Sequence, residues 1–445
     1  MSKKIALHNL GCKVNAYETE SMRQTLERAG YEIVPFAPGA DAYIINTCTV
    51  TDVADKKSRQ MLHKAKKMNP QAIVVAVGCY VQTGGQKLAE DDMVDLLVGN
   101  SEKAQIADIL KRRWQESRKR EYVQDMKNIR AYAEMECAGG MALEHVRANI
   151  KVQDGCNQFC SYCVIPYARG RVRSRRPDDV LKEVANLAAQ GYQEIVLTGI
   201  HLSSYGVDFQ DERIGLLDLI RLIHQEPGIA RIRLGSLEPG IVTREFAAGL
   251  SSLPKVCPHF HLSLQSGSDS VLKRMNRKYT AQDYRMRTEI LREYFEDPAL
   301  TTDVMVGFPG ESEEEFQESY EFVREIGFYE THIFQYSRRA GTGAAAMDGQ
   351  ISRQVKQCRS RQLLDLHERQ SRKYEDRRLH RQAELLIEEM TETESGEIYL
   401  LGHTREYVKA ALVGRNSGDW VNRRVQVELL EPFGPHVLLC REWEK

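Results

Sequence analysis

The sequence predicts an α/β chain in three parts: an N-terminal open α/β domain, a longer barrel-like series of parallel strands and helices, and a small C-terminal antiparallel β-barrel. Three observations carry this. Near the N-terminus, the short apolar runs IALHNLGC, AYIINTC and AIVVAVGC alternate with amphipathic stretches. From about Ala148, six further strand-like runs alternate with helical patterns. From about Ala383, the hydrophobic period switches to two, broken by Gly396, Gly414, Gly418 and Pro432–Pro435.

In the first part, helical patterns at Ala16–Ala29 and Val53–Lys67 follow the first two strands, the signature of parallel strands with helices on the faces. In the second part the expected strands are NIKVQDG, EIVLTGI, RIRLGSL, HFHLSLQSG, TTDVMVGFPG and THIFQYS. Helices are expected at Pro177–Gln190 and Glu313–Ile326, and a long charged helix at Arg353–Arg381 leads out. The expected boundaries are residues 2–114, a linker at 115–141 containing Gly139–Gly140, a core at 142–372 and the β-module at 375–442.

The chain has 445 residues, 42% hydrophobic and 28% charged, the balance of a globular protein of several domains. No apolar stretch is long enough to span a bilayer, and MSKKIALHNLGC lacks the apolar core of a signal peptide, so a cytoplasmic location without membrane attachment is expected. In a reducing compartment, ten cysteines point to metal binding or catalysis rather than a disulfide framework. The net charge of −1 announces no polyanionic partner, but basic clusters stand at Lys111–Arg120, Arg169–Arg176 and Arg369–Arg381, against an acidic run at Glu311–Glu315. Lys111–Arg120 reads as a solvated helix face.

Two cysteine constellations carry the chemistry. In QDGCNQFCSYCVIPYARGRVRSR, Cys156, Cys160 and Cys163 are separated by three and then two residues. A zinc site normally takes four protein ligands, and no fourth Cys or His is close. Three thiolates can instead hold three irons of a [4Fe–4S] cube, leaving one iron open to a small chelating ligand such as the amino and carboxylate groups of S-adenosylmethionine (SAM). Cys12, Cys48 and Cys79 are distant in sequence, but each closes a predicted parallel strand, the end at which ligands collect in open α/β sheets. Each alone reads equally as an ordinary buried thiol. Cys137, Cys257, Cys358 and Cys440 fit neither set and read as structural or incidental.

The loop at Cys156–Cys163, with Tyr162 as the aromatic before the last cysteine, resembles that of the radical SAM superfamily. The resemblance implies a partial (β/α)6 barrel in which SAM lies across the strand ends. On that analogy Tyr162, Thr198, Gly199, Ser236, Glu238, Gln265 and Asp303 are the implied SAM contacts, and Cys156, Cys160 and Cys163 the catalytic ligands. NLGCKVNAYETE, INTCTVTDVADKKSR and VGCYVQ, with HLSLQSGSDSVLKRMNRKYT and TDVMVGFPGESEEEF, resemble the methylthiotransferase family over nearly the whole chain. There, cysteines like Cys12, Cys48 and Cys79 hold an auxiliary [4Fe–4S] cluster, and the C-terminal module is a TRAM domain, a small RNA-binding barrel.

LGCKVNAYE resembles the branch that adds a methylthio group to C2 of N6-threonylcarbamoyladenosine beside the tRNA anticodon. The branches acting on N6-isopentenyladenosine or on a ribosomal-protein aspartate more often read YGCQMN and LGCPKN. A non-catalytic iron–sulfur RNA-binding or redox-sensing protein is the alternative from another class. The resemblance implies two [4Fe–4S] clusters, SAM, the tRNA anticodon stem-loop, a sulfur source, and an electron donor such as flavodoxin or ferredoxin. Arg169, Arg171, Arg173, Arg175 and Arg176 after the cluster loop, with Arg405, Lys409, Arg415, Arg423 and Arg424 in the last module, are the candidate RNA contacts. Two departures stand out. Gln335–Gly343 (QYSRRAGTG) lacks the family's prolines, and Asn149 replaces a common aromatic.

Overall fold

The computed structural model describes residues 2–115, 120–135, 146–210, 214–393, 396–414 and 420–443. Cys137, Gly139–Gly140 and Arg415 lie outside the described residues. The N-terminal domain is a parallel sheet built from β1 (Lys4–Asn9), β2 (Glu32–Val34), β3 (Ala42–Thr47), β4 (Ile73–Gly78), β5 (Leu96–Val98) and β6 (Arg120–Tyr122), in the order β2-β1-β3-β4-β5-β6. All six residues of β3 and of β4 are buried, as expected of strands covered on both faces. The covering helices are α1 (Lys13–Arg28), α2 (Asp52–Met68), α3 (Cys79–Ala89) and α4 (Ile106–Gln115). β6 lies inside the segment expected as a linker, so part of that connection is a sheet edge. Its short pairing leaves too little apolar pattern to be legible in sequence.

The central domain carries β7 (Arg147–Asp154), β8 (Arg173–Ser174), β9 (Glu194–Gly199) and β10 (Arg231–Leu234) in one sheet, and β11 (His259–His261), β12 (Ala299–Val306) and β13 (Glu330–Gln335) in another. Parallel bridges Ile232↔Val256 and Leu237↔Leu262 join the two into one curved wall. All six expected strands are present; β8 is an added antiparallel stub on β7. Its helices are α5 (Ile165–Arg169), α6 (Pro177–Ala189), α7 (Leu216–His224), α8 (Arg244–Ser251), α9 (Asp269–Arg274), α10 (Ala281–Tyr294), α11 (Glu313–Ile326) and α12 (Arg353–Asp376). α11 shows why its ends were legible. Ser312 and Glu315 form a reciprocal cap, three acids occupy the first turn, and Gly327 ends it at φ 68°. The acidic run is thus a helix start.

The last module is a closed five-stranded barrel, β14 (Gln382–Glu392), β15 (Ile398–His403), β16 (Lys409–Val413), β17 (Arg424–Gly434) and β18 (Val437–Glu442), ordered β14-β15-β16-β18-β17. Its pairing is antiparallel except β16 with β18, which is parallel and closes the barrel. The module docks through charge. Arg231, fully buried, donates to Glu384 and to the His403 carbonyl, at 2.9 and 3.0 Å, and Arg405 donates to the Pro254 and Val256 carbonyls. Cys257 and Cys440 are buried and Cys358 is exposed. Among the described residues no helix is long and apolar enough to cross a membrane.

Candidate active site

Cys12, Cys48 and Cys79 stand at the carboxyl ends of three adjacent strands, β1, β3 and β4. Cys12 caps α1 and is exposed, while Cys79 opens α3 and is buried with Cys48. Two asparagines tie these loops together: Asn15 donates to the Leu10 and Thr47 carbonyls, and Asn46 donates to the Asn15 carbonyl. Gly11, at φ 107°, packs so closely that a Cβ there would stand 2.9 Å from the Cys48 sulfur. Gly78, at φ 100°, similarly has no room beside Asn46. Burial raises the Cys48 pKa, and the charges of Cys79 and Cys12 raise it further, so the three thiols share one field.

Cys156, Cys160 and Cys163 lie on the loop after β7. Gly155, at φ 72°, makes the turn, and a Cβ there would run into the Arg171 carbonyl. The loop is pinned by Ser161 N–H to the Met275 carbonyl, Ala344 N–H to the Ser161 carbonyl and the Asn276 amide to the Phe159 carbonyl. Tyr162 packs edge-on to Phe308. Burial pushes the Cys156 thiol up to about 11 and Cys163 to about 12; the charge of Cys160 raises both further, and that of Cys156 also raises Cys163. The Gln158 N–H reaches the Cys156 sulfur at 3.4 Å, and the half-buried Arg277 guanidinium reaches Cys160 at 3.4 Å.

Both sets fit iron–sulfur clusters. The donors are all soft thiols, burial penalises the charge of Cys48, Cys156 and Cys163 until a cation shares it, and each set has an arginine beside it to offset the excess negative charge. α3, which begins at Cys79, packs against α5, which follows Cys163. Arg169 ties the N-terminal set to the barrel. It is fully buried and donates to the Cys79 sulfur at 3.2 Å, to Glu18 at 2.8 and 3.0 Å, to Asp154 at 3.2 Å and to Asn15 at 2.7 Å. Glu18 also binds Lys103 and, at 2.7 Å, Lys151. Those three cations hold its carboxyl well below the usual range, against the opposing effect of its complete burial.

The remaining expected contacts gather at the strand ends with differing exposure. Thr198 is buried, and Gly199 lies so close to Gln153 that a Cβ would meet its amide oxygen at 2.9 Å. Ser236 is exposed. Glu238 is half-buried, and its charge acts on Cys156 and Tyr279. Gln265 takes φ 70° and bridges β12. Asp303 is already engaged by His261 and His332, at 3.3 and 3.2 Å.

The basic stretch behaves differently from expectation. Arg169, Arg173 and Arg175 are buried in ion pairs, with Asp154 accepting from Arg173 at 3.4 Å and Glu183 from Arg175, and cannot meet phosphates. Arg171 and Arg176 are exposed, over Phe159 and Phe209. Three arginines turn inward because Glu18, Asp154 and Glu183 wait there to pair with them. Arg423 and Arg424 are exposed, though Arg424 is bound to Glu384 at 3.1 Å.

Sequence reasoning missed Arg277 and His201. Arg277 sits within HLSLQSGSDSVLKRMNRKYT, and its role needed the fold to bring it to Cys160. The His201 backbone N–H donates to the Gln153 amide oxygen, and its ring shares a hydrogen bond with Ser204; burial, reinforced by Arg277, lowers its pKa to about 4. In the segment lacking prolines, Arg339 is buried against Asp55, at 2.7 Å, and Thr49, beside Cys48. That loop is held by charge where proline would have stiffened it.

Residues 150–323 match the model of the radical SAM superfamily, and residues 4–99 match that of the uncharacterized protein family UPF0004. A β/α barrel of this kind with thiol sets on two facing domains defines a radical SAM enzyme. The chain is 39% identical to the threonylcarbamoyladenosine tRNA methylthiotransferase MtaB of Bacillus subtilis, over 97% of this chain and 95% of that one. It is 35% identical to the Thermotoga maritima MtaB, covering 99% and 97%. It is also 35% identical to the tRNA-2-methylthio-N(6)-dimethylallyladenosine synthase of Acetivibrio thermocellus, covering 88% and 82%. The chain therefore belongs to the radical SAM methylthiotransferase family. Among solved structures, the radical SAM methyltransferase TsrM of Kitasatospora setae shares the fold, with a TM-score of 0.57 and 16% identity over 75% of this chain and 73% of that one.

Proposed function

We propose that this enzyme adds a methylthio group to C2 of N6-threonylcarbamoyladenosine beside the anticodon of tRNA. The observation that carries the reading is the pair of three-thiol sets, one at the strand ends of the N-terminal sheet and one on the loop after β7, on domains tied together by Arg169. In this reading Cys156, Cys160 and Cys163 hold a [4Fe–4S] cluster with SAM, and Cys12, Cys48 and Cys79 hold the auxiliary one. When bound, these groups supply the one-electron chemistry and the sulfur that replacing an unactivated C–H bond requires.

The chain's own residues position and insulate. Arg277 and Arg169 place positive charge beside Cys160 and Cys79, and the buried network around Glu18 holds the two domains at one spacing. Glu238, Thr198 and Gly199 form the wall where SAM would lie. Arg171, Arg176 and Arg423 offer exposed cations to phosphates, supplying affinity rather than identity. The adenosine has to leave its stack to reach the thiol sets. A small electron-transfer protein such as flavodoxin or ferredoxin and a sulfur source complete the cycle.

The similarity to the MtaB proteins favours the threonylcarbamoyl substrate over the isopentenyl one. Two measurements test the reading. Cells lacking the gene should accumulate tRNA with threonylcarbamoyladenosine and lose its 2-methylthio form. The Cys12→Ala, Cys48→Ala, Cys79→Ala protein should still form 5′-deoxyadenosine with dithionite but no methylthio-tRNA. The same substitutions at Cys156, Cys160 and Cys163 should abolish both. A folded N-terminal triple variant that still made methylthio-tRNA would overturn the division of labour.

A further inference from the structure

Lys13 directly follows Cys12 at the first position of α1, and α1 packs against β7 and β9 of the barrel. Arg147 of β7, Glu194 of β9 and Arg233 of β10 act electrostatically on the Lys13 ammonium, which in turn acts on the imidazoles of His259 of β11 and His332 of β13. Lys13 therefore stands beside Cys12 at the N-terminal end of α1, within electrostatic reach of the barrel strands. It is exposed.

The charges near it are matched. Arg147 is bound to Glu388 at 2.9 Å. Arg233 and Arg231 are bound to Glu194 at 2.7 and 3.4 Å. His261 and His332 share Asp303, and Glu330 lies 3.9 Å from the far nitrogen of His332. Among the described residues no carboxylate lies within ion-pair distance of Lys13. An exposed ammonium near guanidinium and imidazole groups that are already matched, with no carboxylate at ion-pair distance, suits a ligand that brings an anion.

We infer that Lys13 is a specificity-determining residue that pairs with the carboxylate of the threonylcarbamoyl group. This rests on the substrate reading above and adds to it the protein group that recognises the modification. The chemistry of adenine supports the placement. C2 and the N6 substituent flank the same ring nitrogen, so a base that presents C2 to the sulfur held near Cys12 presents its N6 substituent along the same edge. Lys13 is the next residue along that edge. An isopentenyl group would leave this ammonium unpaired and set hydrocarbon among charges, which selects against it.

The test uses reconstituted, unreduced holoenzyme and two anticodon stem-loops, one bearing N6-threonylcarbamoyladenosine and one its methyl ester. Wild-type enzyme should bind the acid roughly tenfold or more tighter than the ester, as expected for a charge-assisted contact. Lys13→Gln and Lys13→Met should erase that preference while binding the ester as wild type does, and Lys13→Arg should restore part of it. Iron content keeps loss of the neighbouring cluster separate, and the wild-type comparison stands even if a variant fails to fold. Equal wild-type affinity for acid and ester overturns the assignment. So does a Lys13→Gln protein that weakens both stem-loops alike, which would make Lys13 a phosphate contact. If wild-type enzyme instead methylthiolates no threonylcarbamoyladenosine at all, it is the substrate reading that fails.

Discussion

Replacing Arg169 with Met keeps much of the side-chain volume and removes only the guanidinium. Its contacts with Glu18, Asp154, Asn15 and Cys79 span 2.7 to 3.2 Å and lie wholly inside the protein. Removing one member of a buried ion network costs about 3–5 kcal/mol, because the remaining charges stay desolvated. Here Glu18 keeps Lys103 and Lys151, and Asp154 keeps Lys151 and Arg173, so the loss falls near about 3 kcal/mol. At roughly 2–4 °C per kcal/mol for domains of this size, Tm should drop by roughly 6–12 °C. The salt dependence of tRNA binding should be unchanged, because a buried cation releases no counterions. Arg171→Met, from the exposed neighbour two residues on, should do the reverse: near-normal Tm, with the salt slope reduced by about 0.7–0.9 for each phosphate no longer neutralised. Calorimetry and binding titrations between 50 and 200 mM salt, about the range where such slopes are read, give both numbers. An Arg169→Met protein with wild-type Tm and a reduced salt slope would refute the buried-network assignment.

Two further outcomes follow from local geometry. Gly155→Ala forces a Cβ against the Arg171 carbonyl at a left-handed position, so reconstituted iron should fall from about eight to about four per chain and 5′-deoxyadenosine formation should cease; unchanged iron would show that the turn tolerates a side chain. His201 has a folded pKa lowered to about 4 by burial, so the fold favours its neutral form. The stability it contributes, up to about 3 kcal/mol, is complete above the unfolded pKa near 6.5 and is lost as pH falls toward 4. Tm measured from pH 7 to 4 should therefore fall more steeply for wild type than for His201→Asn, and parallel profiles would exclude the effect.

The chain order of elements was legible because each depends on local physics. Continuous apolar runs marked β3 and β4, the Ser312–Glu315 cap and Gly327 marked both ends of α11, and a period of two marked the last barrel. The spacing of Cys156, Cys160 and Cys163 was legible for the same reason, since one loop holds all three. Other features were decided by tertiary structure alone. Arg169, Arg173 and Arg175 looked like an RNA-facing stripe, but their burial depends on Glu18, Asp154 and Glu183, two of which lie on other segments of the chain. Arg277 reaches Cys160 across 117 positions, and Lys13 comes within electrostatic reach of Arg147, Glu194 and Arg233 on three barrel strands. Sequence encodes which groups can be charged or apolar; which charge meets which is settled only when distant strands close around a common space, because Coulomb attraction acts through distance and burial rather than along the chain.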